Sequence, residues 1–255
     1  MINYKKNSAG HQITGSSGHQ RRRLTSFVSL LSLLAFSSLF FALSPMPSSA
    51  AEIKPGEKIV YDIKKMFKVG QAVLEYKGPV TIENQQLIHI LVTMRAPNFY
   101  DQEDIFVEPI NFYPVLVKRN LNIFGKKEKI IERYDQIKGT VEIIKNVRGK
   151  DVKQTIERKT PIENLYGFIY QFRLKGDLQN TSSVTMHLPT KDVIMKNLGA
   201  VDIAAGGKTY KTVLLESDPK QYSLWFDTQG NSLPVKIDGG LGAIKAVMVL
   251  REVKN

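Results

Sequence analysis

Residues whose types and spacing could do chemistry are few in this chain. There is no cysteine, which excludes disulfides, thiolate metal centres and thiol nucleophiles. His89 and His187 each stand in a stretch of alternating polarity. His89 alternates with Leu87 and Leu91, and His187 lies between Met186 and Leu188. A histidine beside a carboxylate can act as a general base, but no G-x-S-x-G elbow supplies a nucleophile for it. Neither a His-x-x-x-His pair nor an acidic calcium loop is present. Asp101, Glu103 and Asp104 form a short acidic group after Phe99 and Tyr100; such a group is expected to be a solvated loop. Carboxylates distant in sequence can converge for acid–base work, yet no combination of nucleophile, base and oxyanion donor can be assembled from the motifs. The expectation is a protein that is not an enzyme and uses no metal or cofactor.

Aromatic residues give the better candidates. Tyr166, Tyr170, Tyr222 and Trp225 have amphipathic rings suited to a wall that meets both an apolar ligand and water. The competing reading is plain core. In residues 222–227 the alternation puts Tyr222, Leu224 and Phe226 on one face and Ser223, Trp225 and Asp227 on the other. A strand with large apolar groups on both faces is buried on both sides. Trp225 is thereby expected either under a helix or in a ligand cavity.

The elements that must position these residues follow a period of two. Residues 67–76, 87–94, 105–106, 115–119, 129–134 and 141–144 read as short strands, followed by 184–188, 192–196, 201–204, 210–216, 223–227, 235–238 and 244–253. Lys77-Gly78-Pro79, Gly206-Gly207 and Gln229-Gly230-Asn231 supply turn residues between them. One segment departs from this pattern. Thr160 and Glu163 are spaced as a capping box, Pro161 suits the first helical position and Gly176 a stop. Leu165, Phe168, Ile169 and Phe172 recur at helical spacing. The predicted architecture is mainly β: a single curved antiparallel β-roll or incompletely closed barrel, with one amphipathic helix against its concave face. Gly167 weakens that helix by about 1 kcal/mol relative to Ala, so packing must hold it.

The start of the chain gives an address. Arg21-Arg22-Arg23, an apolar run over 27–43 and Pro45-Met46-Pro47-Ser48-Ser49-Ala50-Ala51 have the order of a secretory leader. Residues 1–51 are read as a signal peptide, cleaved near Ala50 or Ala51, and 52–255 as one β-rich domain in the periplasm, soluble after cleavage. The general secretory route is expected, since Leu24-Thr25 fits a twin-arginine signal poorly. Taking the leader's five Lys/Arg from the chain's 36 leaves 31 against 24 acidic residues, a charge of +7 in place of +12. That moderate excess lacks the basic stripe with interleaved aromatics of a nucleic-acid surface. Lys126-Lys127-Glu128-Lys129 reads as a solvated hairpin end.

Five pieces in order resemble a known family: Gly56-Glu57-Lys58-Ile59-Val60-Tyr61-Asp62, Lys68-Val69-Gly70-Gln71-Ala72, Pro114-Val115 through Arg119, Asn164-Leu165-Tyr166 through Leu174-Lys175-Gly176, and Leu224-Trp225-Phe226-Asp227 with Leu233-Pro234-Val235-Lys236-Ile237. Together they are similar to the bacterial family called domain of unknown function 3108. The resemblance implies an exported envelope protein of antiparallel β structure with no established activity. By fold analogy it looks like the bent β-rolls of lipoprotein carriers. Two roles stay open. The roll shelters a lipophilic ligand, such as a lipid or lipid-linked envelope component, in an elongated apolar cavity; or a solid roll recruits another envelope protein through a strand edge or surface patch.

Overall fold

The computed structural model describes residues 53–64, 68–147, 149–158, 161–177, 180–241 and 244–255. The leader reading and Thr160 lie outside these residues. Among the described residues there are fourteen strands and one helix. The first group is β1 (Lys58–Lys64), β2 (Lys68–Ile82), β3 (Gln85–Ala96), β4 (Phe99–Val107), β5 (Pro114–Ile123), β6 (Lys126–Asp135), β7 (Thr140–Val147) and β8 (Lys150–Glu157). After α1 (Leu165–Lys175) come β9 (Ser183–Leu188), β10 (Lys191–Ala205), β11 (Lys208–Asp218), β12 (Tyr222–Asp227), β13 (Pro234–Leu241) and β14 (Ile244–Lys254).

All fourteen strands form one antiparallel sheet, in the order β8 to β1, then β14 back to β9. Apart from β8 and β9, which the helical segment separates, consecutive strands are neighbours, as short connections favour, and β1 pairs with β14 from Lys58↔Lys254 to Lys64↔Val247. The sheet is not closed into a barrel: β8 and β9 are its two edges. Both edges flank the one helical segment in sequence, so the chain that leaves one edge crosses to the other by way of α1.

That crossing is tied down on both sides. Gln136, in the β6–β7 turn, donates to the carbonyls of Pro114 (2.7 Å) and Ile162 (3.0 Å) and accepts from the Ile162 N–H (2.8 Å). Glu163 donates its N–H to the His187 carbonyl (2.6 Å), and its side chain accepts from the His187 N–H (2.7 Å). Part of the β9 edge is thus satisfied by a non-strand segment. Arg158 reaches Asp192, which also meets His187 Nδ1 at 3.0 Å. The β8 edge carries Lys150, Asp151, Lys153 and Glu157, all exposed.

Several turn and strand expectations are corrected. Lys77-Gly78-Pro79 is not a turn: β2 runs through it, with a register shift between Tyr76 and Gly78. The reversal falls at Glu83-Asn84, both with positive φ (49° and 65°), the geometry of a tight hairpin. Gly206-Gly207 does turn β10 into β11. Residues 192–196 and 201–204 are one strand, β10, with an irregularity between Asn197 and Ala200. Strands β1 and β8 were not among the predicted strands.

Helix α1 begins later than the sequence implies. Asn164 is the N-cap, its side chain accepting from the N–H groups of Tyr166 and Gly167. Glu163 therefore does not serve as the third helical residue of a capping box; it is used against β9. Gly176 does end the helix, donating to the Phe172 carbonyl. Eight of the eleven helical residues are buried, including Tyr166, Tyr170 and Arg173 as well as the predicted stripe. The burial is wider than one amphipathic face because the sheet approaches from both halves: Tyr170 meets Tyr76 of β2 at 5.6 Å and Phe172 meets Phe226 of β12 at 5.0 Å. Around these rings lie Ile59, Tyr61, Leu74, Ile90, Met94, Ile105, Leu215, Leu224 and Met248 in one core.

Candidate functional site

Helix-side residues of β4, β5 and β6 form a polar cluster next to the start of α1. On β4, Asp101 and Glu103 alternate with Phe99, Ile105 and Val107, which belong to the core around the helix. The acidic group is therefore not a solvated loop: Asp101 and Glu103 point to the helix side and Asp104 to the opposite face. What makes the burial tolerable is Arg119 of β5, directly across from Glu103 in register. Its guanidinium donates from Nε to Asp101 Oδ1 at 2.7 Å and from Nη2 to Oδ2. Such a fork satisfies a carboxylate in two bonds. Glu132 of β6 lies on the same face, accepting from the Tyr134 hydroxyl.

Glu103 has no such partner. Among the described residues, Asn164 Nδ2 reaches it at 3.5 Å, a long contact. Burial pushes its carboxyl up to about 7, Asp101 and Glu132 push the same way, and Arg119 opposes them. Beside it, the Tyr166 hydroxyl is buried and unpartnered. Burial raises the phenol well above its ordinary value, and the charges acting on it are Glu103, Asp101 and Arg119. The Tyr166 hydroxyl thus has no hydrogen-bond partner among the described residues, and most buried polar groups are not left so.

At the other end of α1, Arg173 makes a buried fork with Glu57, Nη1 to Oε1 at 2.7 Å and Nη2 to Oε2 at 3.2 Å. The guanidinium also lies 5.3 Å from the Tyr170 ring centre. Both groups are consumed by each other, so this pair anchors the helix rather than offering a site.

The four predicted aromatic residues do not come together as one wall. Tyr166, Tyr170 and Tyr222 are on the helix side: Tyr170 is buried, and Tyr222 packs against the same core. Trp225 is on the opposite face, because its strand neighbours Leu224 and Phe226 are the ones that meet the helix core. Its cross-strand partners are Leu214 and Lys236, and Lys236 Nζ lies 4.1 Å from its ring centre. That placement sets aside the position under the helix.

The histidines are also accounted for. His89 Nε2 contacts Asp104 at 2.9 Å and the ring stacks on Phe106 at 4.6 Å, on the face away from the helix. Three depressions are formed by described residues, around Gly206, around Ile131 and Ile144, and around Asn197; each is open to solvent and none includes a residue of α1. No group of three or more His, Asp or Glu among the described residues is arranged to hold a metal. No described helix is long and apolar enough to cross a membrane.

A family model described as protein of unknown function, DUF3108, matches residues 60–249. The chain belongs to the DUF3108 family. No curated protein matches it. Among solved structures it is similar to the crystal structure of a beta-barrel-like protein of domain of unknown function DUF1849 from Brucella abortus, at 10% identity and TM-score 0.48, over 80% of this chain and 99% of that one.

Past the polar cluster, the helix-bearing face of this DUF3108 chain continues across β5 to β8. The register sets Arg119, Ile130, Lys145 and Val152 in one row and Val117, Glu132, Ile143 and Gln154 in the next. Ile123, Ile130 and Ile143 are partly exposed there, and Val152 is 61% exposed. Sequence reasoning missed this surface because β8 reads as polar and its strand was not predicted. Register alone reveals that Val152 and Ile156 extend an apolar face begun on β5.

Proposed function

We propose that this DUF3108 protein is an exported, non-catalytic binding protein that takes a lipophilic envelope ligand on the half-open helix-side face of β5–β8. The observation that carries the reading is the set of part-exposed Ile123, Ile130 and Ile143 and exposed Val152 on the helix-side face, beside the core and in contact with solvent, with Lys145 between Ile130 and Val152. Covering them releases about 25 cal/mol per Å² of apolar surface. The space between helix and central sheet is a poor alternative, because large side chains there, Tyr61, Tyr170, Phe226 and Ile169 among them, are packed to full burial. Export rests on the leader-like order of residues 1–51.

Recruitment of a partner by strand addition has less in its favour. Edge β9 is bonded in part by Glu163, and edge β8 carries the alternating charges that discourage pairing. Native mass spectrometry of protein purified from the cell envelope tests the proposal. A start near residue 51 and a co-purified lipid are expected, with occupancy lost in Val152→Asp at an unchanged melting temperature. An apo mass with a co-eluting protein would replace the carrier reading by the adaptor one.

A further inference from the structure

We propose that the end of the sheet bearing the β5–β6 and β7–β8 turns docks on an anionic lipid surface, with the Phe124 ring entering the interface and Lys127 and Lys129 meeting phosphate head groups. The inference goes beyond the ligand carried on the helix-side face and does not depend on it.

Phe124 gives the first sign. It and Gly125 are the two turn residues between the paired Ile123 and Lys126, with φ of 49° and 82°. Such a turn favours Asn-Gly, and a bulky ring at positive φ is strained. The backbone is fixed all the same, because the Phe124 N–H donates to the carbonyl of Asn98, in the β3–β4 turn, at 2.8 Å. Folding gains little from the ring, since Phe124 is 78% exposed. A strained conformation that holds an apolar group out in water points to a use outside the chain.

The charges beside it name the partner. Lys126, Lys127 and Lys129 on the same hairpin, and Lys150 on the next, make no ion pair among the described residues. The acids at this end are engaged already: Glu128 meets Lys145 at 2.7 Å, and Asp151 accepts from Asn146 Nδ2 at 2.6 Å. Lys127 and Lys129 line an open depression of about 510 Å³ together with Ile131, Ile144, Asn146 and Asp151. The register explains its make-up, with Lys129, Asn146 and Asp151 in one row and the paired Ile131 and Ile144 in the next. Cations at the rim over an isoleucine floor suit a phosphate head group and the first carbons of the chain below it. Ile137, at the far end of β6, is 99% exposed as well, but Lys138 next to it is spent on Asp135 at 2.9 Å. A bilayer accepts one ring and a few lysines without the shape matching that a protein partner demands.

The test is co-sedimentation of the protein purified from the cell envelope with vesicles of phosphatidylcholine alone and of phosphatidylcholine mixed with phosphatidylglycerol. Binding at least about tenfold tighter to the mixed vesicles is expected. The preference should vanish as the screening length shrinks from about 10 Å at 0.1 M salt to about 3 Å at 1 M. Lys127→Gln combined with Lys129→Gln should weaken binding about 25-fold, or about fivefold for each lysine. Phe124→Asn creates the favoured turn pair, so it should fold at least as well as wild type while binding about tenfold more weakly. In Phe124→Trp the added emission should shift to the blue on the mixed vesicles and be quenched by brominated acyl chains. Equal binding to both vesicles, unchanged binding in the double lysine variant, or no quenching in Phe124→Trp would overturn the docking. Absence of vesicle binding with an acidic protein co-eluting would overturn it in favour of a protein partner.

Discussion

Arg173→Met should be among the most damaging single substitutions in the domain. The Arg173 side chain is 0% exposed and that of Glu57 is 5% exposed, so deleting the guanidinium strands a carboxylate away from water. Breaking a buried pair from one side typically costs about 3–5 kcal/mol. For a domain of this size each kcal/mol lowers the melting point by about 2–4 °C, which places the loss near 10 °C. Glu57→Met leaves a buried guanidinium whose Nε already lacks a partner, and its cost should be similar. The double variant removes both charges and lets methionines fill the space, so it should return to about wild-type stability, recovering about 3–5 kcal/mol relative to either single. Urea unfolding followed through Trp225, the only tryptophan, reads all three variants on the face opposite the changes. A cost of Arg173→Met below about 1 kcal/mol, or single costs that simply add in the double, would show that the fork does not hold helix to sheet.

Further substitutions separate the roles of neighbouring groups. Gly167→Ala should destabilise by about 1–3 kcal/mol despite the better helix propensity of alanine, since its Cβ would come 2.6 Å from the Phe112 carbonyl oxygen; a thermal melt decides the sign. Asn164→Ala removes the cap and should cost about 1 kcal/mol by the same measurement. Glu103 has its native carboxyl raised from 4.5 to about 7, so it opposes folding increasingly as pH rises through that window, by up to about 3 kcal/mol above 7. Glu103→Gln should then gain stability over wild type at pH 8 relative to pH 4, read from urea midpoints; a difference independent of pH would contradict the assignment. Trp225→Ala should lower stability yet leave lipid occupancy unchanged, because the ring is on the face away from the helix; loss of occupancy in native mass spectra would return Trp225 to the site.

Strand content and the meander were legible because alternation is a local signal, read correctly at residues 87–94, 129–134 and 210–216 with no knowledge of partners. β1 and β8 escaped for opposite reasons. In β1 the run Ile59-Val60-Tyr61 is buried on both faces and does not alternate, whereas β8 is exposed on both faces and shows almost no apolar signal. The cap was misplaced because Thr160 and Glu163 fit a spacing rule, while the decision belonged to contacts more than twenty residues away, with His187 and Gln136. The same distance hid the site. Asp101 and Glu103 look like solvated acids until Arg119, brought opposite by the β4–β5 hairpin, pays for burying one of them. Tyr166 draws notice in sequence for its ring, whereas the structure leaves its buried hydroxyl without a partner, and no pattern in the helix reports where that atom points.

The seam between β1 and β14 has a bearing on how the domain assembles. Every other ladder in the sheet joins strands that follow one another, so two ribbons can form by quick local hairpins, while this one must gather residues nearly the whole domain apart. Chain ends are usually the expendable fringe of a fold. Here the first and last strands of the sheet meet at its middle, and removing β14 would part the sheet down the centre rather than trim its border.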